Sequence, residues 1–251
     1  MFFLFLYKII EIFSTKKIMY KNIFFDLDNT LWDFDASSEA TFEMIFSHFR
    51  LNDYNILSYK QFHEVYARYN DMLWDKYRKG IVEKDFLKSE RFWLPLNDFG
   101  IRDRRLAVEI GEFYTYWSPR NVALVPGAIE TLEYLAPNHG IHIITNGFAE
   151  VQNIKIKESG LWRYIDSMTV SEEIGIKKPD TRIFEYALKK AYRSGSIINK
   201  ENIMVGDDLY VDITPVREVG MDQCYFNRKK VGHNEAITFE IDEITMLKEI
   251  V

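Results

Sequence analysis

From residue 127 onward, short apolar runs alternate with amphipathic stretches in a pattern that few folds can absorb. "AIETLEYLA" reads as a helix, "IHIITN" as a strand and "AEVQNIKIKESG" as a helix ending at Gly160. "SMTVS" reads as a strand and "DTRIFEYALKKAY" as a helix opened by Pro179. "NIMVGDD", "YVDITPVREVG" and "DQCYFN" continue as strand, helix and strand. Such alternation favours a parallel sheet covered on both faces, because each parallel crossover needs a connection about the size of a helix. An earlier apolar run, residues 22 to 26 of "NIFFDLDNTLW", joins that sheet as its first strand. The expected class is therefore α/β, with a doubly wound parallel sheet.

The chain between that first strand and residue 119 has a different texture. "SEATFEMIFSHF", "SYKQFHEVYARYNDMLWDKYRKG", "EKDFLKSERFWLPL" and "DRRLAVEIGEFYTYW" carry apolar residues at helical spacing, as in Phe62, Val65, Tyr66 and Tyr69. Residues 36–118 are thus expected to form an all-helical insertion, a small bundle, with "SPRNVALVPG" as the return linker. The sheet-bearing part then comprises residues 19–35 and 119–251. Residues 1–18 are apolar but interrupted by Lys8 and Glu11, too short to span a bilayer, and lack the features of a secretory signal. They are expected to be an extension outside the fold.

Charge and cysteine usage narrow the function. A net charge of -6 disfavours a binder of nucleic acid or of an anionic membrane, which would carry a basic patch. Cys224 is the only cysteine, which excludes a disulfide framework and a thiolate metal cluster and suits a reducing cytoplasm.

In an open parallel sheet, ligands bind beyond the carboxyl ends of the strands. There the apolar runs end in polar groups: Asp26 and Asp28; Thr145, Asn146 and Gly147; Asp207 and Asp208 with Asp212 following. Lys177 and Lys178 stand before a proline-started helix. Singly, each has a structural explanation as a turn, cap or solvated residue. Together they suit a phosphoryl group. Carboxylates from different strands can hold Mg²⁺, a hydroxyl and backbone N–H groups can bond phosphoryl oxygens, and a lysine adds compact positive charge. A cation also accounts for acids so close together, since two unit charges 4 Å apart interact by roughly 4 kcal/mol at an effective dielectric of 20.

In order, "FFDLDNTLW", "IITNG", "KKPDTRIF" and "VGDDLYVD" resemble the four motifs of the haloacid dehalogenase superfamily, with the helical insertion where that family carries its cap domain. "WDF", "ITNGF" and "SEEIGIKKPDTRIFEYAL" further resemble its branch of pyrimidine nucleoside 5'-monophosphatases. The resemblance implies a Rossmann-like core and a Mg²⁺-dependent phosphomonoester hydrolase, with a small phosphorylated metabolite as its partner. Asp26 would be the nucleophile, forming an aspartyl-phosphate, and Asp28 the general acid and then base. Thr145 would hold a phosphoryl oxygen beside Asn146, and Lys178 would neutralise developing charge. Asp26, the backbone carbonyl of Asp28, Asp207 and, through water, Asp212 would hold the ion. Asp208, Thr214 and Pro215 depart from the family pattern. Trp32 and Phe148 are expected to line the substrate mouth, and the aromatic residues of the insertion, among them Trp74 and Trp117, offer stacking surfaces for a base. A sugar-phosphate phosphatase or phosphomutase is the alternative, and a phospho-accepting regulatory module a more distant one.

Overall fold

The computed structural model describes residues 20–192 and 197–251. The expected extension over residues 1–18 lies outside them. Six parallel strands form one sheet in the order β3-β2-β1-β4-β5-β6. They are β1 (Asn22–Phe25), β2 (Gly140–Thr145), β3 (Ser167–Val170), β4 (Asn202–Gly206), β5 (Asp222–Phe226) and β6 (Phe239–Ile241). β1, β4 and β5 are buried along their whole lengths, as expected of a sheet covered on both faces, and in β5 this burial includes Asp222 and Gln223. One face packs on a core that includes Ile23, Phe25, Leu132, Ile143 and Val205; the other packs on Phe24, Ile144, Ile183, Phe184 and Met204.

The chain runs outward from β1 to β2 and β3, then crosses back to β4 on the other side of β1. This reversal opens a crevice at the carboxyl ends of β1 and β4, the usual ligand position in such sheets. The register sets Phe25 beside both Ile143 and Val205, and the Asp26 N–H donates to the Val205 carbonyl at 2.9 Å. Asp26, Thr145 and Asp207 therefore emerge at one edge.

Four helices follow β1: α1 (Phe34–His48), α2 (Tyr59–Arg78), α3 (Lys84–Asp98) and α4 (Arg104–Trp117). They share an aromatic core in which the Phe42 ring lies against Phe62, Tyr66, Phe92 and Tyr114. α1 begins four residues before the sequence pattern suggested, because Asp33 caps it by accepting the Ala36 N–H at 3.1 Å. Returning to the sheet, the chain forms α5 (Ala128–Leu135), α6 (Ala149–Glu158), the short α7 (Ser171–Ile174), α8 (Thr181–Tyr192) and a final turn, α9 (Leu247–Ile250). Among the described residues no helix is long and apolar enough to cross a membrane.

One expected element differs from the structure, and one strand had not been expected. "YVDITPVREVG" is not one α-helix but a wide π-type turn, Leu209–Ile213, followed by a 3₁₀ turn, Thr214–Arg217. Proline at position 215 has no N–H to continue an α-helical ladder. At the start of the segment, the carboxylate of Asp212 is drawn back to the Asp208 N–H and to Lys178. β6 gave no sequence signal: three residues with one buried side chain cannot display a two-residue period.

Candidate active site

Asp26 leaves β1 buried, 7% exposed, with Lys178 Nζ donating to its Oδ1 at 2.5 Å. The same ammonium donates to Asp212 Oδ1 at 2.6 Å and to the Ile144 carbonyl at 2.9 Å, so all three of its hydrogens are committed. Lys178 is held by its backbone as well. Its N–H donates to Asn146 Oδ1 and its carbonyl accepts from Asn146 Nδ2, both at 2.9 Å. Asn146 thus ties the end of β2 to the segment that delivers the lysine, rather than facing the cavity alone.

Asp207, just beyond β4, accepts from the Thr30 hydroxyl at 3.3 Å. Carboxylate oxygens of Asp26, Asp207 and Asp212 lie within 4.8 Å of one another. Gly206 permits this approach, since a Cβ there would fall 2.5 Å from that of Asp212. Burial is the main force on these acids: it pushes Asp26 up to about 7, against the pull of Lys178, and Asp207 up to about 9, with Asp26 and Asp212 adding repulsion. Asp212 is raised too, again first by burial. Burial opposes the charge of Lys178, but Asp212 and Asp26 outweigh it and raise that pKa. Three carboxylates around one ammonium leave a deficit of positive charge in a buried, all-oxygen site. That donor set fits a hard divalent cation.

Asp208 does not join this group through its side chain. It caps the following turn, accepting from the N–H groups of Tyr210 and Val211 at 3.1 Å each.

Thr145 ends β2. Its hydroxyl oxygen accepts from the Gly147 N–H at 3.0 Å and from Gln152 Nε2 at 2.8 Å. With both lone pairs taken, the hydroxyl has only its proton left to offer, which suits an anionic oxygen. Asp28, across the opening, accepts from Gln152 Nε2 at 2.7 Å on Oδ2 and from Lys155 Nζ on Oδ1. Neither Gln152 nor Lys155 stood out in the sequence, where they read as ordinary polar positions of α6. Their spacing of three places them on one face with the buried Ile156, so the buried side of this helix is itself polar.

Asp26, Asp28, Thr145, Asn146, Lys178, Asp207 and Asp212 all line one cavity of about 440 Å³. Its other wall comes from the insertion, through Asn70, Asp71, Trp74 and Arg78 of α2. The two expected mouth residues lie elsewhere. Trp32 is fully buried in the sheet core, because the turn after β1 returns it inward, pairing with Leu124. Phe148, 3% exposed, stands behind the cavity wall with its ring stacked on Trp74 at 5.1 Å. Of the insertion's aromatic residues, Trp74 reaches the cavity, Phe92 and Tyr114 fill the helical core, and Tyr116 is exposed.

This fold and this site define a hydrolase of known type: residues 20–220 match the haloacid dehalogenase-like hydrolase family, and the chain belongs to it. The chain is similar to pyrimidine 5'-nucleotidase YjjG of Escherichia coli, 30% identical over 91% of this chain and 96% of that protein. It is also similar to pyrimidine 5'-nucleotidase PynA of Streptococcus pneumoniae, 25% identical over 89% and 92%. Among solved structures, HAD-hydrolase YfnB of Bacillus subtilis bound to magnesium superposes with a TM-score of 0.80 at 25% identity, covering 92% of this chain and 98% of that one.

Proposed function

We propose that the protein is a Mg²⁺-dependent phosphatase that hydrolyses nucleoside 5'-monophosphates, pyrimidine nucleotides first among them. The observation that carries the chemistry is the convergence of Asp26, Asp28, Thr145 and Lys178 on one cavity beside the cation-poor acids Asp207 and Asp212. Asp26 attacks phosphorus and forms an aspartyl-phosphate, dividing the reaction into two displacements. Asp28 gives a proton to the departing oxygen and then takes one from the water that cleaves the acyl phosphate. Thr145 donates to a phosphoryl oxygen, and Lys178 holds Asp26 and Asp212 in place while offsetting their charge. Asp26, the main-chain carbonyl of Asp28, Asp207 and Asp212 would hold the ion. When bound, it supplies the missing positive charge beside the phosphoryl oxygens.

The nucleotide reading is supported by Trp74, whose ring is backed by Phe148 and forms part of the cavity wall. A planar base can extend that stack, a contact worth about 1–3 kcal/mol. The names of YjjG and PynA point the same way. The test is phosphate release from UMP, CMP, AMP, GMP, several sugar phosphates and p-nitrophenyl phosphate with Mg²⁺, beside D26N. A preference for pyrimidine nucleotides, absent in D26N, is the expected outcome. A preference for sugar phosphates overturns the substrate, and full activity of D26N overturns the mechanism.

A further inference from the structure

Asp28 is held by an unusual pair of donors. Lys155 is 3% exposed and its ammonium lies over the rings of Trp32 and Phe34, 5.4 and 5.5 Å from their centroids. Its one carboxylate partner among the described residues is Asp28. Burying a lysine is costly, and here it is committed to a single acid. Gln152 is fully buried and its Nε2 reaches both Asp28 and Thr145, while its own carbonyl oxygen has no hydrogen-bond partner among the described residues. The amide therefore sits where it can donate twice, at the expense of its acceptor. Gly147 keeps the path open, since a Cβ there would stand 1.9 Å from Gln152 Nε2.

We propose that Lys155 and Gln152 are positioning residues that fix the Asp28 carboxyl group for proton transfer to the leaving oxygen, with Gln152 locking Thr145 and Asp28 into one arrangement. The inference rests on the phosphatase reading above and deepens it. One donor on each oxygen stops rotation of the carboxyl group and leaves further lone pairs free. One of these can carry the proton that passes to the leaving oxygen as its bond to phosphorus breaks. Neither residue touches the phosphoryl group; both act through Asp28.

The leaving group separates this role from a purely structural one. An alkoxide such as the 5'-oxygen of UMP needs a proton as it departs, whereas nitrophenolate leaves without one. K155M should lower kcat on UMP by about a hundredfold with KM nearly unchanged, while the first burst of nitrophenolate from p-nitrophenyl phosphate stays within about threefold of wild type. Q152L, which also frees Thr145, should slow both substrates, but UMP by at least about tenfold more. In a D28N background, K155M should add less than about twofold, because residues that act as one unit are not additive. Equal losses on both substrates, no loss on UMP, or a full further loss in D28N each overturn the proposal. If K155M does not fold, Q152L decides alone. If the wild type cleaves p-nitrophenyl phosphate but not UMP, the nucleotide reading fails and β-glycerophosphate serves as the alkyl substrate. Absence of hydrolysis of all three by wild type overturns the phosphatase reading and the inference together.

Discussion

On one side of the cavity Asp28 receives an ammonium and an amide from a single helix; on the other, Asp26, Asp207 and Asp212 surround the one ammonium of Lys178. Both groups of acids arise in turns beyond parallel strands, and both are served by a nearly fully buried lysine. The difference lies in the balance of charge. Asp28 has a cation to itself, whereas burial forces Asp26 and Asp207 toward their neutral forms because one lysine cannot offset three carboxylates. On the proposed mechanism the unbalanced side would hold the divalent ion, and Asp28 on the balanced side would pass the proton.

The largest effect that can break this contrast is at Asp26, the proposed nucleophile. D26N should abolish turnover, a loss on the order of 10⁶ in kcat as for other removed nucleophiles, and no labelled phosphate should remain on the acid-quenched protein. Turnover persisting in D26N would move the chemistry elsewhere. Next comes Lys178, whose removal leaves the acids without their buried cation. K178M should lower kcat by about 10²–10³, measured at saturating Mg²⁺, and a value near wild type would show that the lysine only supports the fold.

The charge deficit also has a signature in stability. Both acids titrate above the ordinary carboxylate range when folded, near 7 for Asp26 and near 9 for Asp207. The folded protein then holds protons that the unfolded chain has released, so cation-free stability falls as pH rises from about 4 to about 9. Melting temperatures in EDTA should decline across that window, and added Mg²⁺ should restore more at pH 9 than at pH 6. A flat profile would mean that the acids are already balanced. The smallest effect concerns the cap wall: W74A should raise KM for UMP by roughly tenfold, the equivalent of about 1.4 kcal/mol and at the lower end of what a stacked base contributes, and leave p-nitrophenyl phosphate turnover little changed.

How much of this was legible in the sequence depended on how local the signal was. Asp26, Thr145 and Asp207 follow short apolar runs, and the fold gathers strand ends at one edge, so their meeting could be read from pattern alone, with Lys178 marked only by the proline-started helix behind it. The helical insertion was equally plain from its spacing. Gln152 and Lys155 were hidden because a polar residue on a helix reads as solvated, and only packing shows that this face of α6 turns inward. Trp32 and Phe148 misled for the opposite reason. Adjacency to a motif in the chain suggested the mouth of the site, but the turn after β1 folds Trp32 into the core, and Phe148 supports Trp74 from behind. The segment after β4 breaks into a wide π-type turn and a 3₁₀ turn at Pro215, and the sequence did not show that Lys178, distant in the chain, claims the Asp212 carboxylate within the first of them.

The deficit of positive charge around Asp26, Asp207 and Asp212 is tested most directly by calorimetric titration of the metal-free protein with Mg²⁺ at pH 8. The expected result is saturable binding of one ion per chain that is lost in D207N and kept in Q152L, whose change lies on the balanced side. Binding unaltered by D207N, or none at all in the wild type, would contradict the placement of the ion and the division of the site built on it.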